Sequence, residues 1–284
     1  MKLLNEILRG ILIGIANIIP GVSGGTMAVS MGIYDDIIYS ITHLFTDMKK
    51  SIRTLFPYIL GAGIGIVCLS FIIEYLFLHF PIQTNLCFIG LILGGLPIIT
   101  KRIKIKRSDF SHSLIFILFF ALIIGMQLLG GQGTKDVTIQ ISLFEIIKLF
   151  LIGAVASATM VIPGVSGSMM LMIIGYYNPI ISHINLFIKA LVALNFDQLI
   201  QSSMILVPFG LGVVIGIFLI AKIIEILLKH YESHTYCAIL GLVIASPIAI
   251  LMGIHSTTFN LPILLTSAIT FIIGLIIARF AGQE

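Results

Sequence analysis

Charge is scarce in this sequence: Asp, Glu, Lys and Arg supply 10% of its 284 residues, where a soluble domain carries roughly 25%. Tryptophan is absent, and only three cysteines occur, Cys68, Cys87 and Cys237. The first shortage argues against a soluble globular fold. The second removes one kind of membrane-interface anchor and leaves tyrosine and phenylalanine to fill the role. The cysteines are odd in number and have no metal-ligand spacing, so they read as small apolar core residues. A Gly-x4-Gly-Lys-Ser/Thr loop is also missing, which speaks against ATP-driven pumping. No His/Asp/Cys cluster has metal spacing, and no acid–base pair stands beside a nucleophilic serine, so neither an enzyme nor a cofactor is implied.

What the chain has instead is apolar length. Hydrophobic residues make up 58% and the mean hydropathy is +1.16. Long apolar runs joined by short polar connectors suit a helical membrane protein, because lipid cannot satisfy backbone polar groups. Ten such segments run near 5–19, 22–46, 56–79, 84–100, 112–130, 146–162, 165–189, 205–229, 235–253 and 261–280. The net charge of +4 gives no reason to expect a nucleic-acid partner, since the basic residues cluster between segments. Lys2 and the apolar stretch after it have a signal-peptide look, but Arg9 interrupts the stretch and no small-residue cleavage site follows. The segment is expected to belong to the mature protein.

Internal repetition organises the segments. Ile19-Pro20-Gly21-Val22-Ser23-Gly24 returns 143 residues later as Ile162-Pro163-Gly164-Val165-Ser166-Gly167, and Gly32-Ile33-Tyr34 meets Gly175-Tyr176-Tyr177 at the same offset. At an offset of 151, Pro57, Gly61, Gly65, Glu74, His79, Thr84 and Gly90 meet Pro208, Gly212, Gly216, Glu225, His230, Thr235 and Gly241. Two copies of one five-segment unit are expected, over 1–140 and 141–284, within one integral membrane domain.

Charge orients the copies. Lys49, Lys50 and Arg53 precede the third segment, and Lys101, Arg102, Lys104, Lys106 and Arg107 precede the fifth. Short basic loops stay cytoplasmic. The equivalent stretches 190–204 and 254–260 contain no Lys or Arg, while Lys229, His230, His234 and Arg279 mark the other side. The bias has switched sides, as an odd number of crossings per copy requires. The expected fold is therefore an all-α polytopic membrane protein of two inverted five-segment repeats, with both termini cytoplasmic. Inverted repeats are the usual build of secondary transporters, with the site near mid-membrane.

The copied motif lies where two apolar arms meet. Residues 5–19 make about 22 Å of helix, short of the roughly 30 Å hydrocarbon core, and the next arm runs apolar only from Val22 to Tyr34. Each pair reads as a re-entrant helix hairpin joined at Pro-Gly, with 149–162 and 165–177 repeating it from the opposite face. Glycines let an oxyanion approach the backbone, and a helix N-terminus presents unpaired N–H groups. The expected phosphate- or carboxylate-binding residues are Gly21, Val22, Ser23, Gly24, Gly25 and Thr26 with Gly164, Val165, Ser166, Gly167 and Ser168. Arg9 either captures a headgroup at the cytoplasmic interface or snorkels there. Glu74 and Glu225 are repeat-equivalent and intramembrane, which makes them candidates for proton or sodium coupling, although Lys222 stands ready to neutralise Glu225. Asp35 and Asp36 are expected at the inner interface, and the seven histidines fall mostly near segment ends without ligand spacing.

These motifs, Gly14-Ile15-Ala16-Asn17-Ile18-Ile19-Pro20-Gly21-Val22-Ser23-Gly24-Gly25-Thr26 and Ala158-Thr159-Met160-Val161-Ile162-Pro163-Gly164-Val165-Ser166-Gly167-Ser168, resemble those of the bacterial polyprenyl-phosphate translocase family (PopT), and the likeness extends over essentially the whole chain. The resemblance implies a protein of the bacterial cytoplasmic membrane that returns undecaprenyl phosphate from the outer to the inner leaflet. Its implied partners are a polyprenyl-phosphate lipid and the bilayer. A small-anion channel or ion-coupled anion transporter is the alternative, since such proteins aim similar loops at an ion.

Overall fold

A computed structural model of the chain describes residues 2–18, 23–103, 110–130, 137, 139, 142–254 and 260–282. Thirteen helices, and no strand, occur among them. In the first part of the chain these are α1 Lys2–Ile18, α2 Gly24–Ser30, α3 Tyr34–Thr42, α4 Met48–His79, α5 Pro81–Gly94, α6 Leu96–Arg102 and α7 Phe110–Gly130. The second part holds α8 Leu143–Val161, α9 Gly167–Ile173, α10 Tyr177–Val192, α11 Phe196–His230, α12 Glu232–Met252 and α13 Leu261–Ala281. Among the described residues seven helices are long and apolar enough to cross a membrane, with α5 and α6 counting as one, and an eighth span arises if α9 and α10, bent by 112°, are joined. The chain is an all-α, multi-pass membrane protein.

Local chemistry marks the helix starts. Ser142 opens α8 by accepting the Glu145 N–H at 3.2 Å, Asn195 opens α11 by accepting from Gln198 at 3.2 Å, and Asn260 opens α13 by accepting from Ile263 at 3.0 Å. Each satisfies a donor that the helix itself leaves unpaired. Pro57 and Pro208 sit inside α4 and α11 at equivalent positions.

Several expected boundaries move. The stretch 47–55, read as a connector, is mostly the first turns of α4, so Lys49, Lys50 and Arg53 lie on a helix. In the same way α11 starts at Phe196, well before residue 205. The single apolar segment 22–46 is two helices with a break at 31–33, and 165–189 breaks likewise at 174–176. The arm read as 149–162 is also longer than expected. Its helix begins at Leu143 and reaches 19 residues, about 28 Å, because the amphipathic turn containing Glu145 and Lys148 is capped and continues the helix.

Helices pair through glycine. A Cβ on Gly61 would lie 2.2 Å from the Ile7 carbonyl oxygen and one on Gly14 would lie 2.3 Å from that of Ala62, so α1 and α4 touch backbone to backbone. Gly153 and Gly212 do the same for α8 and α11, each with a built Cβ within 2.2 Å of a facing carbonyl oxygen. Close approach through small residues is how helices associate where lipid removes the hydrophobic drive. The remaining spans pair differently: α5 packs on α13, and α7 on α12. Gly90 meets Phe271, Gly274 meets Cys87, and Gly241 meets Phe116 in these pairs. Each such pair takes one helix from either part of the chain, so neither part completes its packing alone. The most enclosed spans, 61% buried in each case, are α5 with α6 and α12; they form the centre, and the other candidate spans are far less buried.

Candidate functional site

The second motif copy is described throughout. After α8 ends at Val161, Pro163 and Gly164 form the corner of a turn closed by the Val165 N–H on the Ile162 oxygen at 3.4 Å. Gly164 takes φ +82°, the conformation the third position of a type II turn demands and glycine supplies. In the first copy, residues 19–22, and with them Gly21 and Val22, lie outside the described residues, and the chain resumes at Ser23. Ser23 and Ser166 are the N-cap residues of α2 and α9, both with extended backbone. Each helix is seven residues long, about 10 Å. What they offer an anion is therefore the unpaired N–H groups of the first turn rather than a strong macrodipole.

Both short helices stop in the same way. Gly32 and Gly175 adopt φ +70° and +76°. The N–H of Ile33 reaches Ala28 O at 3.0 Å and that of Tyr176 reaches Leu171 O at 2.9 Å. This is the Schellman ending, which requires a left-handed residue. The repeated Gly-x-Tyr is thus a helix stop that turns the chain into α3 and α10.

The two loops meet. The Gly164 N–H donates to Thr26 Oγ1 at 2.6 Å, with Thr26 fully buried, and the Tyr34 hydroxyl donates to Val161 O at 3.2 Å. A Cβ on Gly25 would approach Val161 O to 3.0 Å. Thr26 therefore ties α2 to the second loop. Between them lies a pocket of about 60 Å³ lined by Ser23 on one side and Val165, Ser166, Gly167 and Ser168 on the other, with Asn17 and Met160 completing it. Neither N-cap serine caps its helix, although that is the usual use of serine there. Ser166 Oγ pairs with Ser168 Oγ at 2.8 Å. Ser23 is 4% exposed and, among the described residues, its Oγ has no hydrogen-bond partner. A buried hydroxyl without a partner is costly, so the pocket offers unmet hydrogen-bonding capacity, and no Lys or Arg lines it among the described residues.

The other expected residues lie elsewhere. Arg9, on α1, is buried against Tyr58, which hydrogen-bonds with it, with Glu6 and Asp36 close by; it does not line the serine pocket. Glu225 holds Lys222 Nζ at 2.7 Å and faces His43 Nδ1 at 3.5 Å. Glu74 lies on α4, and its side chain lies outside the described residues. Asp35 accepts from the Tyr236 hydroxyl at 2.6 Å and lies 3.9 Å from Arg102, which also reaches Glu232 at 3.6 Å. This group ties α3 and α6 to α12. Sequence reasoning expected Asp35 only at an interface and missed its partners, because nothing local joins residues 35 and 236. Asn17 and Met160 were also missed as pocket residues. The signal was present, since both stand three residues before the motif proline.

A family model described as undecaprenyl phosphate translocase-like matches residues 13–268. A Staphylococcus aureus protein named polyprenyl-phosphate transporter is 35% identical over 281 residues, covering 98% of this chain and 95% of that protein. A Vibrio cholerae protein of the same name is 29% identical over 260 residues, covering 87% of this chain and 77% of that protein. No solved structure matches significantly.

Proposed function

This chain belongs to the undecaprenyl phosphate translocase-like family, and from that premise we propose that it carries a polyprenyl phosphate of the undecaprenyl class across the bacterial cytoplasmic membrane, from the outer to the inner leaflet, for reuse in envelope assembly. The family description and the names of both relatives denote transport rather than an enzyme. The observation that carries the reading is the pocket lined by Ser23, Ser166 and Ser168, with a buried Ser23 hydroxyl that has no partner among the described residues.

A phosphate crossing hydrocarbon alone faces a severe barrier; even one charged side chain at mid-membrane costs about 2.5–17 kcal/mol. The pocket replaces lost water with serine hydroxyls and first-turn N–H groups from both loops, while the isoprenoid chain stays in lipid. With no Lys or Arg lining the pocket among the described residues, the phosphate is held weakly enough to leave. The two halves, 1–140 and 141–284, act as inverted repeats whose relative rocking opens the pocket to one leaflet and then the other, with both termini cytoplasmic. Equivalent glycines at equivalent helix contacts, and the reciprocal exchange of α5 and α12 partners, support that reading. Glu225, held by Lys222 and His43, is the residue through which ion coupling would act, with Glu74 as its counterpart. The contacts of Arg9 with Tyr58 favour its structural role over headgroup capture.

The test is leaflet-to-leaflet movement of fluorescent undecaprenyl phosphate in proteoliposomes, with chloride flux recorded in the same vesicles. Lipid movement abolished by combined Ser23→Ala and Ser166→Ala in a folded protein is the expected result. Chloride flux without lipid movement would replace this reading with an anion transporter.

A further inference from the structure

The pocket is built mostly from equivalent positions of the two halves, with two chemical exceptions: Ser168 stands where the first half has Gly25, and Met160 where it has Asn17. Ser23 and Ser166 correspond, as do Gly24 and Gly167, each pair 143 residues apart. Asn17 and Met160 correspond in the same register, and their side chains sit alike. A Cβ on Gly24 would lie 2.6 Å from Asn17 Nδ2, and one on Gly167 would lie 2.4 Å from Met160 Cγ. Each glycine is bare because the longer side chain rests on it. The same place therefore carries an amide in the first half and a thioether in the second. Both residues are exposed, which puts them at the pocket mouth. Asn17 is held by the bond from Nδ2 to Ile13 O at 3.0 Å, leaving its second Nδ2 hydrogen for another acceptor. The 4% exposed Ser23 hydroxyl, without a partner among the described residues, lines the same pocket.

A phosphate monoester has a matching asymmetry: terminal oxygens at one end and an ester oxygen bearing an apolar chain at the other. Free phosphate has no apolar end. We infer that Asn17 and Met160 orient the ligand and select an isoprenyl phosphate ester over free phosphate, an inference that rests on the phosphate-binding reading above. The terminal oxygens face the Asn17 amide and the Ser23 hydroxyl, where donors to an anion bind most strongly. The first isoprene unit lies on Met160, whose flexible thioether adapts to an apolar surface.

The test uses the purified full-length protein in nanodiscs, titrated with farnesyl phosphate and separately with inorganic phosphate. Met160→Asn is expected to weaken the ester about tenfold while sparing inorganic phosphate, so the ratio of the phosphate dissociation constant to that of the ester falls about tenfold. Asn17→Met is expected to weaken both ligands about tenfold and leave the ratio unchanged. Because each ratio is taken on one preparation, a misfolded fraction cancels. Equal effects of Met160→Asn on both ligands would overturn the orientation. Should Ser23→Ala weaken ester binding while Met160→Asn leaves the ratio at its wild-type value, the pocket stands and the orientation alone fails. Absence of any ester binding by the wild-type protein would overturn the phosphate-binding reading and this inference together.

Discussion

Replacing Ser23 by alanine is expected to make the protein more stable and a poorer binder at once. The Ser23 hydroxyl is buried without a partner among the described residues, and a group left in that condition costs about 1–3 kcal/mol. Its removal leaves only a small void, so a gain of about 1 kcal/mol remains, equivalent to a rise in Tm of about 2–4 °C for a chain of this size. Binding moves the other way. One hydrogen bond to an anion is worth about 1.5–3 kcal/mol, so affinity for farnesyl phosphate falls roughly ten- to a hundredfold. Thr26→Val is the matched control. Thr26 is fully buried, and its Oγ1 accepts the Gly164 N–H at 2.6 Å. The valine variant orphans that N–H and loses about 1–3 kcal/mol. Thermal unfolding followed by circular dichroism, at one detergent concentration and one scan rate, compares the three proteins; calorimetric titration gives the affinities. If Ser23→Ala lowers Tm as far as Thr26→Val does, the hydroxyl has a partner, and the reasoning that it awaits a ligand is refuted.

Gly61→Ala should lower Tm sharply, because the new Cβ would lie 2.2 Å from the Ile7 carbonyl oxygen and force α1 from α4. Gly63→Ala, two residues along, meets nothing within 4 Å and should stabilise α4 by about 0.5–1 kcal/mol; similar Tm values for the two variants would discount the backbone contact. Gly164→Ala combines φ +82° with a Cβ 2.8 Å from Leu242 O, so it should lose at least about 1–2 kcal/mol, read as reduced Tm together with weakened ester binding. Tyr236→Phe removes the 2.6 Å bond to Asp35 and should lower Tm by the equivalent of about 1.5–3 kcal/mol. An unchanged Tm would mean that Arg102 alone holds the carboxylate.

Much of the membrane fold was legible in the chain because its physics is local. Scarce charge and long apolar runs exclude a soluble domain whatever the tertiary arrangement. The repeated Pro-Gly-Val-Ser-Gly marked the two loops, and the repeated glycines at 61, 65 and 90 with 212, 216 and 241 mark contacts where helices touch through their backbones. Segment ends were less legible. Hydropathy could not see that Gly32 and Gly175 stop seven-residue helices, since each stop is a left-handed backbone conformation rather than a change of side-chain character. Nor could it see that Lys49 and Arg53 ride on α4.

Tertiary structure alone decided which helix lies against which. An apolar side chain is equally content against lipid or another helix, so composition carries no address, and the exchange of α5 onto α13 and α7 onto α12 leaves no mark in the pattern of runs. The same holds for the pocket. Its serines could be named from the motif, but that Ser23 would neither cap its helix nor find another partner among the described residues depends on how the two loops meet. That Asn17 and Met160 would complete the pocket depends on each resting over a bare glycine. The sequence by itself determined the solvent this chain folds in and the donors it carries. The structure determined where those donors converge, because convergence is set by contacts between residues more than a hundred positions apart.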